Sequence, residues 1–255
     1  MNNIMVILKK ELKHYFYSPM AYIIMAVFLF ISGYFFLSGL DRYVQVSMQA
    51  ASPYAGDFEL TAAMVIGGFL GNICIVLMFI IPLLCMRAVS EERKSGTFEL
   101  LMTSPLKNWE LIGGKYLSLL TILFILTAII GIFPLVLYMI MPFYYKTVLI
   151  SFAGFFLFGA ASIAIGLFFS TTSKNPVYAA LSTFAALLLL WISSWLSDSL
   201  GGFLGIAVRE LSMISHINSF IKGTLSLKDL TYFISMIFYM LFLSDLYIDS
   251  IRWRE

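Results

Sequence analysis

Long apolar runs alternate with short polar stretches along the whole chain. Six runs have spanning length, at about residues 20–40, 62–86, 116–141, 147–169, 177–195 and 230–248. A helix of about 20 apolar residues rises about 30 Å, the thickness of a bilayer's hydrocarbon core. The pattern predicts an all-α polytopic membrane protein with six transmembrane helices, one unit over residues 1–255. Residues 1–17 follow a different rule. On a helical wheel Ile4, Met5, Leu8, Leu12, Tyr15 and Phe16 share one face, and Lys9, Lys10, Lys13 and His14 the other. Val6 and Ile7 interrupt that pattern. This predicts an amphipathic helix in the membrane interface, with Tyr15 and Phe16 as anchors.

Punctuation between the runs supports the same division. Ser18-Pro19 and Asn175-Pro176 each pair a capping residue with a proline suited to the first helical position. Residues 41–61 read as a loop holding Asp41, Arg42, Asp57 and Glu59, with Pro53 and Gly56 as breakers. Pro134 predicts a kink in the third span. In the second span Gly67 and Gly71 stand four apart, a face for close helix packing or a pathway wall. Asn72 beside them offers an interhelical hydrogen bond or a substrate contact. The fourth span is rich in small residues, Gly154, Gly159, Ala160, Ala161, Ala164 and Gly166. Residues 196–229 are too apolar for a free loop and predict short helices dipping into the outer interface. Ser226-x-x-Asp229 forms a capping-box pattern before the last span.

The longest charged interruption is residues 87–115, RAVSEERKSGTFELLMTSPLKNWELIGGK. It holds five of the sixteen basic and four of the fourteen acidic residues. Ser90-Glu91-Glu92 predicts a cap followed by acids in a first helical turn. Gly96 breaks that helix, Thr97 to Thr103 is a short apolar-rich turn, and Ser104-Pro105 opens a second helix through Trp109 and Glu110. A solvated loop needs no Phe98, Leu100, Leu101 and Met102. Those side chains must bury against a partner or the membrane surface.

Composition and charge then fix the setting. The chain is 61% hydrophobic and 12% charged, against about 25% charged in soluble domains. Six spans put both termini on one side. Lys and Arg number eleven on that side and five on the other, so the positive-inside rule places termini and insert in the cytoplasm. The first apolar run is too long for a cleavable signal and lacks a small-residue cleavage site. Cys74 and Cys85 lie in one span, about 16 Å apart along a helix, too far for a disulfide.

Several chemistries find no residues. His-Glu-x-x-His is missing. His14 and His216, on opposite predicted sides, read as surface or interface residues. Asp245 is the only acid well inside a predicted span, which argues against an ion-driven carrier. Gly114-Lys115 fails as a phosphate loop, because Trp109 stands where the first Gly is needed and Tyr116 follows the Lys. The energy source is therefore expected outside this chain, which is expected to be non-catalytic and to hold no cofactor.

Glu91-Glu92-Arg93-Lys94-Ser95-Gly96-Thr97-Phe98-Glu99-Leu100-Leu101, then Thr103-Ser104-Pro105-Leu106, Trp109-Glu110 and Gly114-Lys115, resembles the segment between spans two and three of type-2 ABC transporter permeases. An N-terminal interfacial helix, six spans and an apolar outer segment fit that family. Size, Lys-Lys-Glu-Leu and Ser-Pro near the N-terminus resemble its gliding-motility-associated group, and permeases of copper-enzyme maturation are similar. The resemblance implies a permease subunit of an exporter in a bacterial or archaeal cytoplasmic (inner) membrane. Its partners would be membrane lipids, a second permease copy or related chain, and separate ATP-binding subunits that carry ATP and Mg. No nucleic acid partner is expected. The insert would be a cytoplasmic coupling helix, with Glu91, Glu92, Arg93, Gly96, Thr97, Phe98, Glu99 and Leu101 at the contact. A membrane anchor or assembly factor without a transport cycle, and a channel, are the competing readings. Lipid, glycan carrier, peptide and hydrophobic compound suit the spans equally as substrate.

Overall fold

The computed structural model of the chain describes residues 2–50, 62–98, 107–140 and 145–252, and their regular elements are all α-helices. They are α1 (Asn2–Tyr17), α2 (Pro19–Ala50), α3 (Ala62–Cys85), α4 (Ser90–Lys94), α5 (Asn108–Ile130), α6 (Ile132–Ile140), α7 (Tyr145–Thr172), α8 (Pro176–Leu200), α9 (Gly202–Leu211), α10 (Met213–Ile221) and α11 (Leu227–Arg252). Among the described residues, six segments are long and apolar enough to cross a membrane: α2, α3, α5 with α6, α7, α8 and α11.

α3 and α7 are the centre of the bundle. They are the most buried of the six, and they pack on each other. The small residues of α7 are the reason. A Cβ on Gly166 would sit 2.8 Å from the Cys85 side chain, and one on Gly159 would sit 2.7 Å from Leu123. Glycine here lets α3 and α5 approach α7 more closely than any larger residue allows. α8, α10 and α11 also pack on α7, α2 packs on α3, and α1 lies along α5. Phe36, Phe69 and Phe133, with ring centres 4.9–5.7 Å apart, join α2, α3 and α6 at the end away from residues 87–98.

Several boundaries differ from the sequence reading. α2 continues to Ala50, so Asp41 and Arg42 are helical rather than in a loop. No Gly or Pro follows Gly39 until Pro53, and the helix has no reason to stop. The third span breaks at Gly131, in the turn just before Pro134, where the kink expected of that proline falls. Pro134 is the third residue of α6, inside the first turn, where its missing N–H costs no helical hydrogen bond. α5 begins at Asn108 and runs unbroken through Trp109 and Glu110 into the third span, where a helix leading into that span was expected. Lys107 is extended (φ −79°, ψ 142°), and Glu110 Oε2 accepts the Lys107 amide at 3.2 Å, closing the first turn. Ser104-Pro105 lies outside the described residues. α8 runs five residues beyond the expected 195, and α11 spans Leu227–Arg252.

Other expectations hold. Asn175 Oδ1 accepts the Val177 amide at 3.0 Å, with Pro176 at the first helical position. Between the fifth and sixth spans the chain forms the short helices α9 and α10. Gly67 packs against Ile221 of α10. Cys74 and Cys85 are free and buried. His216 departs from expectation: it is buried, not on the surface.

The wheel of α1 is also rotated from expectation. Ile7 and Glu11 are its buried centre, flanked by the partly buried Leu12 and Tyr15, while Met5 and Val6 are exposed. Ile7 belongs to the packed face because α1 packs on the polar start of α5, not on an apolar surface alone.

Candidate functional site

The chain leaves α3 at Cys85, turns through residues 86–89 and enters α4. Ser90 is not the cap of this helix. It is the first helical residue, buried, with its hydroxyl donating to the Met86 carbonyl. The free amides of Val89 and Ser90 donate instead to Ser170 Oγ, at 3.0 and 3.2 Å. A side chain from the end of α7 thus does the work of an N-cap. One turn later the Arg93 guanidinium donates to the Thr171 carbonyl. This cation sits at the C-terminal end of α7, where the helix dipole favours positive charge. Its Cζ lies 5.7 Å from the Tyr247 ring centre and 6.0 Å from that of Phe98, within cation–π range. Tyr247 belongs to α11, and Phe98 is buried. Three segments, α4, α7 and α11, therefore meet around Arg93.

A second junction joins α4 to α1 and α5. Lys115, in the second turn of α5, is 2% exposed. Its Nζ donates to Glu11 Oε1 of α1 at 2.9 Å and to the Ala88 carbonyl at 2.6 Å. Glu92 Oε2 of α4 lies 2.9 Å from the same nitrogen as an ion pair. Lys10 approaches Glu92 from the outside at 3.7 Å. A lone buried ammonium is costly, and two carboxylates with a carbonyl offset that cost. Packing reinforces the junction. A Cβ on Gly114 would sit 2.8 Å from Ile7, so α1 and α5 touch where only glycine fits. Asn3 donates to Glu110 at 3.1 Å, and the Tyr15 hydroxyl donates to the Leu84 carbonyl at 3.0 Å. Burial pushes the Tyr15 phenol well above its ordinary range, so it keeps the proton it donates.

What remains exposed is a small knuckle. Glu91, Lys94, Ser95, Gly96 and Thr97 face outward. Gly96 has φ +73° with open space where a Cβ would go, so its backbone, not crowding, calls for glycine. Thr97 Oγ1 lies 2.9 Å from Ser95 Oγ and donates to the Glu92 carbonyl at 3.3 Å, closing the turn onto α4.

Of the residues singled out from sequence, Glu91, Gly96 and Thr97 are on this knuckle. Glu92, Arg93 and Phe98 are turned inward and hold it in place. Glu99 and Leu101 lie outside the described residues. Sequence reasoning missed Glu11, Lys115 and Ser170. Lys115 carried a signal: it is one charge inside the apolar sequence from Leu111 to Ile130, and such a charge implies a specific partner. Ser170 carried none, because its partners are 80 residues away.

A further surface lies between α2 and α8. There α3 exposes Gly68, Asn72, Ile75, Phe79 and Leu83 at helical spacing. Asn72 makes no hydrogen bond among the described residues, where an interhelical bond was one expectation. It lines a groove of about 280 Å³ with Ser38 and Arg42 of α2.

The architecture and the knuckle can be set beside known proteins. No curated protein matches the chain. The family model described as ABC-2 family transporter protein matches residues 5–244. That match takes in α3, α4, the junction at Lys115 and all but the end of α11. The chain therefore belongs to the ABC-2 transporter family and is a multi-pass membrane permease subunit of an ABC transporter.

Proposed function

We propose that the knuckle of residues 91–97 is the contact through which a separate ATP-binding subunit drives this permease. The observation that carries this is the seating of α4. One exposed helical turn is tied to α7 and α11 through Ser170 and Arg93, and to α1 and α5 through Lys115. A push on Glu91 or Lys94 then reaches α1, α5 and α7 through hydrogen bonds and ion pairs and α11 through the Arg93–Tyr247 cation–π contact. A solvated loop needs none of these ties, and neither does a membrane anchor. Glu91 is the exposed acid that meets basic groups of the ATP-binding subunit, while Glu92 and Arg93 set the posture of the turn. Glu99 and Leu101 extend the same contact by motif.

The side of the membrane is argued from charge. The knuckle end carries the larger share of Lys and Arg, so it faces the cytoplasm together with both termini. ATP and Mg belong to the partner, and this chain hydrolyses nothing. Asn72 on the open face of α3 supports a second permease across that face, since hydrocarbon leaves an amide unpaired. Movement of the two permeases would open a path between them, in the direction of export. The gliding-motility-associated group remains the subgroup the N-terminal residues resemble.

The test is a pull-down of the ATP-binding subunit, with ATP turnover read in the assembled complex. Glu91→Lys places a like charge against a basic partner surface. It should weaken the pull-down at least tenfold, about 1.4 kcal/mol, with unchanged membrane insertion. Normal assembly and normal coupling of turnover to transport would remove the knuckle from the contact.

A further inference from the structure

At the end of the bundle away from α4, the α9–α10 hairpin folds back against α7, α8 and the start of α11. Its anchor is His216 of α10. The ring is buried and stacks on Tyr232 of α11 with centres 3.9 Å apart. Nε2 lies 3.1 Å from the Glu210 carbonyl oxygen of α9, and Nδ1 lies 2.6 Å from Asp229 Oδ1 of α11. Asp229, read from sequence as a capping residue, is itself buried.

These two contacts count protons. A carbonyl oxygen only accepts, so Nε2 must carry a hydrogen. An ionised carboxylate also only accepts. A neutral ring with its hydrogen on Nε2 would then turn the Nδ1 lone pair toward a carboxylate oxygen. Two acceptors 2.6 Å apart in a buried site repel. The contact needs one more proton, on Nδ1 or on Oδ1.

We propose that His216 and Asp229 form a proton-binding site that holds one proton between them, and that this proton pins the α9–α10 hairpin to α11. When the proton leaves to solvent, the site gains one unit of negative charge and the contact turns repulsive. The neighbouring charges do not replace it. Glu210 pairs with Lys228 at 2.5 Å on the exposed flank, and the Tyr232 hydroxyl donates to the Leu211 carbonyl at 2.8 Å. Arg209, Lys222, Tyr145, Lys146 and Asp198, at the same end of the elements packed around the hairpin, make no hydrogen bond or ion pair with either residue. The proposal stands apart from the coupling reading, so failure of one leaves the other intact.

His14 and His216 are the chain's two histidines. Histidine-selective nitrogen-15 NMR of the full chain carrying His14→Gln, in lipid nanodiscs, therefore reads His216 alone. At neutral pH the expected spectrum has Nε2 protonated and Nδ1 either protonated or accepting a strong hydrogen bond. A bare, unbonded Nδ1, or an unprotonated Nε2, overturns the proposal. The second measurement is hydrogen exchange over residues 202–221 as pH is raised, normalised to α7 in the same molecule. The wild-type hairpin should lose protection by on the order of tenfold, the loss of one hydrogen bond to a charged group. Asp229→Asn exchanges the labile proton for a fixed amide N–H that donates to Nδ1, so its hairpin should keep its protection. Equal behaviour of the two proteins, with or without loss, contradicts the proposal. Should Asp229→Asn fail to fold, the NMR result decides.

Discussion

Lys115 shows how one side chain can set the geometry of a junction. Its ammonium answers Glu11, Glu92 and the Ala88 carbonyl at once. Lys115→Met keeps the length of the stem and removes the charge, leaving two carboxylates facing each other. Removing one partner from a buried ion pair costs about 3–5 kcal/mol, and the partial exposure of Glu92 places this case at the low end. The expected outcome is a clear fall in unfolding temperature in nanodiscs. Adding Glu11→Gln and Glu92→Gln should restore most of it. A silent Lys115→Met would mean that the cluster is solvated. Gly96 gives a second test at this scale. Gly96→Val forces a β-branched residue to φ +73°, a strain of about 1–3 kcal/mol. Asn tolerates that region far better. Because nothing crowds the position, loss of partner binding with Val and retention with Asn would trace the effect to the backbone.

At the scale of elements, α4 is too short to hold its own shape in water. It is held by Ser170, and Ser170→Ala should cost about 0.5–2 kcal/mol locally. Faster hydrogen exchange of residues 89–94, with α7 unchanged, is the expected reading. What is legible in the sequence is local. The break at Gly96, the Asn175-Pro176 start and the short helices between the last two spans each depend on neighbouring residues, and each is found. Helix ends without a local stop or start signal are harder to place. α2 runs past Asp41 because a pair of charges does not stop a helix. The orientation of α1 is hidden for a different reason. Its buried face includes Glu11, and a wheel that seeks only apolar residues turns that face outward. Contacts such as Ser170 to α4 join distant parts of the chain, and no local pattern announces them.

At the scale of the molecule, a packed pair of helices, α3 and α7, carries the other spans, and polar ties collect at both ends of the bundle, around α4 and around the α9–α10 hairpin. Topology is the first consequence. A cysteine in place of Lys222 should react with an impermeant thiol reagent added outside intact cells, and one in place of Lys107 only after the membrane is opened. The central claim is that the knuckle on α4 is where an ATP-binding subunit docks. Its most direct test is site-specific photocrosslinking in intact cells, with the probe in place of Glu91 and a control probe in place of the exposed Phe30 of α2. The account predicts that the Glu91 probe captures a soluble chain bearing a GxxxxGK[ST] loop and that the Phe30 probe does not. Capture of no such chain at Glu91, from a permease that is folded and active in transport, would contradict it.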